Sequence, residues 1–133
     1  MKLGVIIGRF QAQYLHPGHL HIIATALREC DEVVIFLGTQ EHVDERNLYT
    51  VKERTEMINR IFPQVDVVVL WDCRSDQEWS DNVDIIIGNI GGEATLYHSR
   101  NSFKDHYRGE FPLKEVPEIE GYSATKIREN EQN

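Results

Sequence analysis

The chain has 133 residues, with 14 Lys+Arg against 22 Asp+Glu and a formal net charge of −8 at neutral pH. This length suits one domain around one core, and an acidic balance without a basic stripe argues against binding long nucleic acid. No apolar run approaches the roughly eighteen residues of a membrane span, and Met1-Lys2 leads straight into the first apolar segment, so neither a membrane helix nor a secretory signal is expected.

In chain order, residues 3–7 are an apolar run that predicts a buried strand, and residues 20–28 place Leu20, Ile23, Ala24 and Leu27 on one helical face. Cys30 and Cys73 are isolated, a pattern that fits a reducing cytoplasm better than a disulfide scaffold or a zinc site. Residues 33–37 predict a second strand. Thr50 followed by Glu53 reads as a capping box opening a helix, with Met57, Ile58, Ile61 and Phe62 on its apolar face and Pro63 as its stop. Residues 65–70 and 84–87 predict a third and a fourth strand. Gly88-Asn89-Ile90-Gly91-Gly92 then reads either as a tight turn or as a loop against a nucleotide base. The last residues, 129–133, are polar and expected to fray.

The strand runs are continuous rather than alternating, as in strands covered on both faces. Strands separated by helices imply an α/β fold with a doubly wound parallel sheet and right-handed crossovers. Ligands of such sheets lie beyond the carboxyl ends of the strands. Gly8, Gly38, Trp71-Asp72 and Gly88-Asn89 fall at predicted strand ends and are expected to line one crevice.

The segment from Gly8-Arg9-Phe10-Gln11 to His16-Pro17-Gly18-His19 joins the first strand to the first helix. Such a turn offers free backbone N–H groups and the positive end of a helix, where a phosphate can sit. His16, His19 and Arg9 add donors, and Gly18 lets the backbone approach. The two histidines are three residues apart and no carboxylate joins them in an H-E-x-x-H pattern, so no metal site of the protein's own is expected. His21 reads as a surface residue. Arg9, Arg46, Arg54, Arg100 and Arg128 are the cations expected to converge on an anionic ligand. Near the C-terminus, Ser123 reads as an N-cap, with Thr125 and Arg128 on the same face of the helix that follows.

These segments resemble the HxGH nucleotidylyltransferase superfamily, in particular its nicotinamide-nucleotide adenylyltransferases. The opening G-R-F-Q-P-x-H-x-G-H of that group is matched by residues 8–19, with two extra residues and without the first proline. Residues 122–128 resemble its I-S-S-T-x-I-R signature, and residues 46–58 its R-[DN]-P-F-[TS]-x-x-E-R-x-x-M-[IL] block, with Leu48-Tyr49 replacing Pro-Phe. The resemblance implies a Rossmann-like fold in a single domain, residues 1–133. It also implies adenylyl transfer from ATP to nicotinamide mononucleotide, giving NAD and pyrophosphate.

By the same resemblance His16, His19 and Arg128 are the catalytic residues. Gly8, Arg9, Phe10, Gln11, Gly18, Ser123 and Thr125 bind ATP, joined by Gly88 and Asn89 from the glycine-rich reading above. Gly38, Arg46, Arg54 and Trp79 bind the pyridine mononucleotide, Trp79 by stacking on its ring. Arg54 reads equally well as the partner of Glu53 in a helical ion pair. Mg²⁺ is expected to be held mainly through the ATP phosphates. Many members of the group are oligomers, so a homo-oligomer is compatible with it. Two alternatives stay open: another phosphate acceptor (phosphopantetheine, FMN, a sugar or polyol phosphate) and a non-catalytic nucleotide-sensing module.

Overall fold

The structure, a computed structural model, describes residues 1–40, 48–100 and 102–118. Its elements alternate along the chain: β1 (Lys2–Gly8), α1 (Pro17–Glu29), β2 (Glu32–Thr39), α2 (Val51–Ile61), β3 (Asp66–Trp71), α3 (Asp76–Ile90), β4 (Glu93–His98), a single 3₁₀ turn (Phe103–Asp105) and β5 (Leu113–Glu115). The strands form one parallel sheet in the order β3-β2-β1-β4-β5. The described residues contain no helix long and apolar enough to cross a membrane.

Successive strand side chains point to opposite faces, and here both faces are apolar. Ile6, Ile35 and Leu37 pack under α1 and α2 with Ile23, Ala26, Met57 and Ile58. Leu3, Val5, Val34 and Phe36 pack on the other face with Val83 and Ile87 of α3. This two-sided burial is why residues 3–7 and 33–37 read as unbroken apolar runs. Each helix start has a local cause. Pro17 opens α1, where its missing N–H costs nothing. Thr50 and Glu53 form the reciprocal capping box of α2, each side chain meeting the other's backbone N–H at 3.1 Å. Ser75 accepts from the Glu78 N–H at 3.1 Å to open α3.

The fourth strand lies later than the sequence suggests. Residues 84–87 belong to α3, which buries Val83 and Ile87 one turn apart and leaves Ile85 60% exposed. An unbroken triplet of isoleucines carries no period of its own, so it fits a strand as well as a helix. Gly91 and Gly92 break the helix with φ of 85° and 91°, and β4 follows with Ala94 and Leu96 buried. Gly88 and Asn89 consequently sit in the last turn of α3, at the end of the helix that leads into the start of β4. The parallel register brings Gly8, Gly38, Thr39, Trp71 and His98 to the opposite, carboxyl edge. Gly88 and Asn89 therefore cannot line the crevice at that edge.

Candidate functional site

The turn after β1 is shaped by steric necessity. A Cβ on Gly8 would lie 2.8 Å from Cε2 of Phe10, so only glycine lets that ring fold back over the strand end. Phe10 has a φ of 53°, a left-handed conformation that is costly for a non-glycine residue and is sustained here by burial of its ring. The ring lies 4.7 Å from the imidazole of His19. Phe10 thus forms the wall on which His19 rests.

Two side chains tie this turn to α2. The Gln11 amide accepts from the Tyr49 N–H at 2.9 Å and donates to the Tyr49 carbonyl at 3.3 Å. Arg54 is only 3% exposed. Its Nη1 donates to the carbonyls of Arg9 and Gly38, both at 2.8 Å. Its Nη2 reaches Thr39 Oγ1 and its Nε the Thr50 carbonyl, both at 3.3 Å. Burial, and next the charge of Arg9, lower its pKa, while Asp72 works in the other direction. Glu53 is engaged by the N-cap, so the helical ion pair with Arg54 does not form. The guanidinium instead braces the ends of β1 and β2 from below.

Above that brace Arg9 makes a two-pronged pair with Asp72, Nη1 to Oδ1 at 2.9 Å and Nη2 to Oδ2 at 2.5 Å. Both side chains are more than 40% exposed, at 42% and 43%. A pair so open to water is worth about 1 kcal/mol or less, and a phosphate can compete for the arginine.

At the start of α1, Nδ1 of His16 accepts from the Gly18 N–H at 3.1 Å and the His19 N–H at 3.4 Å. A nitrogen that accepts carries no proton, so the neutral ring holds its hydrogen on Nε2. His19 stacks on it, with ring centroids 3.6 Å apart and planes 24° apart. Burial, and then the neighbouring His16, push the His19 pKa down to about 3, so His19 is neutral at neutral pH. Its buried Nδ1 has no hydrogen-bond partner among the described residues. The helix N-terminus and the neutral imidazole of His19 together provide donors for an anion.

Two cavities meet at this turn. The smaller, about 250 Å³, lies between the ends of β1 and β4, where the strand order changes direction. Arg9, Phe10, His16, Gly18 and His19 line it from one side, and His98, Ser99, Ser102 and Phe103 from the other. The larger, about 1020 Å³, extends over the ends of β2 and β3 and is lined by Gly38, Asp72, Arg74, Ser75, Asp76, Trp79 and His106. Gly8, Arg9, Ser102 and Phe103 line both, forming a shared wall. Trp79 is half-buried and tilts against Phe103, with centroids 6.3 Å apart.

Of the residues singled out from the sequence, Gly8, Arg9, Phe10, His16, Gly18 and His19 line the smaller cavity, and Gly38 and Trp79 the larger. Gln11 and Arg54 support the turn through backbone groups. Gly88 and Asn89 lie on α3, and Arg100 is exposed. Arg46, Ser123, Thr125 and Arg128 lie outside the described residues. His21, read as a surface residue, lines the smaller cavity, as does His98, which the sequence reading passed over. The signal for His98 was available: the stretch from Ala94 to Tyr97 follows a glycine pair and suits a strand, which makes His98 a strand-end residue. Among the described residues no group of three His, Cys, Asp or Glu side chains is arranged to hold a metal ion.

Comparison with known proteins shows what the chain is similar to. The cytidylyltransferase-like family profile matches residues 5–130. The nicotinamide/nicotinic acid mononucleotide adenylyltransferase of Acinetobacter baylyi is 33% identical over 138 residues, an alignment covering 94% of this chain and 72% of that protein. A bifunctional NMN adenylyltransferase/ADP ribose pyrophosphatase from Francisella tularensis, solved with AMP and a Mn ion, matches with a TM-score of 0.76 at 23% identity, over 97% of this chain and 41% of that one. A NadR protein solved with NAD and AMP-PNP matches with a TM-score of 0.68 at 19% identity, over 98% of this chain and 42% of that one. The chain therefore spans about two fifths of these solved chains, and at such identities the likeness speaks for the fold.

Proposed function

The chain belongs to the cytidylyltransferase-like family, and on that premise we propose that it transfers the adenylyl group of ATP to the 5′-phosphate of nicotinamide mononucleotide, giving NAD and pyrophosphate. The observation that carries this reading is the pair of cavities meeting at Gly8 and Arg9, one beside the imidazoles of His16 and His19 and the other beside Trp79. ATP takes the smaller cavity, its triphosphate at the N-terminus of α1. The mononucleotide takes the larger one, its pyridinium ring against the indole of Trp79, where a cation gains from the aromatic face.

The reaction needs no covalent enzyme intermediate. An oxygen of the ionised 5′-phosphate attacks the α-phosphorus of ATP in line, and the bond to the bridging oxygen breaks to release pyrophosphate. Rate comes from positioning and from donors aimed at the departing charge. The Nε2–H of His16 and the N–H of His19 supply such donors. A neutral His19 becomes easier to protonate as negative charge accumulates beside it. Arg9 leaves Asp72 for a phosphate oxygen. We assign Ser123, Thr125 and Arg128 to the triphosphate and Arg46 to the phosphates of the two nucleotides, as the resemblance implies.

Mg²⁺ would be held mainly through the phosphates of ATP rather than by side chains, and would supply charge neutralisation for the leaving pyrophosphate. Donor N–H groups of the kind found at α1 suit phosphate oxygens rather than the ion itself. Residues 1–133 would act as one domain, and the two unpaired cysteines suit a reducing cytoplasm. The test is to incubate the protein with ATP, Mg²⁺ and nicotinamide mononucleotide, beside the nicotinate analogue, and to measure pyrophosphate and dinucleotide. NAD formation at about one turnover per second or faster is expected. ATP binding without product would redirect the reading to another phosphate acceptor or to a sensing role.

A further inference from the structure

We infer that His98 reads the nucleoside half of ATP, its Nε2 accepting a hydrogen bond from a donor on the bound nucleotide. The inference rests on the reading that ATP occupies the smaller cavity. His98 ends β4 at the carboxyl edge of the sheet, is 5% exposed and lines that cavity. Its ring stands edge-on to Phe103, with centroids 6.0 Å apart, which limits its rotation.

The polar contacts of the ring determine what it presents. Nδ1 lies 3.1 Å from the Ser99 carbonyl. A carbonyl only accepts, so Nδ1 carries the proton and the neutral ring keeps a lone pair on Nε2. Among the described residues no hydrogen-bond partner meets that lone pair. His16 is wired the opposite way, with Nδ1 accepting and the hydrogen on Nε2. The cavity thus has a donor end at α1 and an acceptor end at β4.

An ionised phosphate only accepts hydrogen bonds, so it suits the α1 end and is repelled at His98. A hydrogen-bond donor is needed there. ATP has two kinds outside its phosphates: the amino group of adenine and the hydroxyls of ribose. A buried acceptor left without its donor loses a hydrogen bond to water and gains none, so a nucleotide lacking the group that His98 reads should bind more weakly.

The experiment measures equilibrium dissociation constants of the full chain, with Mg²⁺, for ATP, for 2′,3′-dideoxyATP, which lacks both ribose hydroxyls, and for purine riboside triphosphate, which lacks the amino group. The wild-type protein is expected to bind one of the two analogues about fivefold more weakly than ATP, or worse, the scale of a single neutral hydrogen bond; which analogue it is identifies the donor. His98→Phe keeps a ring against Phe103, and the Ser99 carbonyl still accepts from the Ser102 N–H and hydroxyl. That variant should bind ATP about as weakly as the discriminated analogue and no longer tell the two apart. His98→Leu serves the same purpose if the phenylalanine variant does not fold. Equal wild-type affinity for all three nucleotides would overturn the inference, as would a variant that keeps the wild-type preference. Binding with this preference but no NAD formation would overturn the acceptor assignment and leave the role of His98 standing; failure to bind ATP would end both.

Discussion

The α1 end of the smaller cavity takes Arg9, His16, Gly18 and His19 from one unbroken stretch of chain, whereas the larger cavity is assembled from Gly38, Asp72 and Trp79 on separate elements. The difference decides what holds each in shape. At the start of α1, cap, backbone N–H groups and stacked imidazoles are all positioned by one helix turn. The larger cavity depends on how the ends of β1, β2 and β3 are aligned, and Arg54 ties two of these ends together through carbonyls that no local element satisfies. A donor end built by one helix start tolerates damage elsewhere in the sheet. One built between strands does not.

Arg54→Ala should produce the largest effect. It leaves two backbone carbonyls and Thr39 Oγ1 without their donor, and about 3 kcal/mol of stability should be lost, read by urea denaturation. The surviving folded protein should show a KM for the mononucleotide raised more than that for ATP. A loss shared equally between the two substrates would mean that both cavities depend on the brace.

His19→Ala acts on the locally built side. Its kcat should fall at least about a hundredfold, the scale for losing one preorganised donor, with circular dichroism unchanged. Turnover near the wild-type rate in the folded variant would remove His19 from the catalytic set. Trp79→Ala tests the other side: steady-state kinetics should show the mononucleotide KM rising about tenfold, with the ATP KM within about twofold of wild type. If both constants rise together, the two cavities are not separate binding sites.

The smallest effect is expected where the sequence suggested a nucleotide loop and the structure has a helix. A Cβ on Gly88 meets nothing within 4 Å, and its φ is not in the left-handed region. Gly88→Ala should therefore raise thermal stability, by up to about 1 kcal/mol, and leave turnover unchanged. A drop in ATP affinity would return Gly88 to the site.

Legibility followed the range of the interactions. The strand β1, the turn to His19, and the capping box of Thr50 and Glu53 depend on residues close in sequence, and their pattern was readable. The run 84–87 misled because its isoleucines look alike, although only the side of α3 carrying Val83 and Ile87 meets the sheet. His98 escaped notice for the same reason: with the fourth strand placed too early, its carboxyl end was placed too early as well.

The amino-acid sequence by itself determined the alternation of strands and helices, the two-sided burial of the sheet and the glycine-dependent turn into α1, because each follows from local periodicity, capping and glycine sterics. Only the tertiary structure decided that Arg54 is a buried brace and that Gln11 joins two loops. It alone set His98 opposite His16. These roles depend on which strand ends lie side by side, and the parallel order β3-β2-β1-β4-β5 brings together groups as far apart in the chain as Arg9 and Asp72.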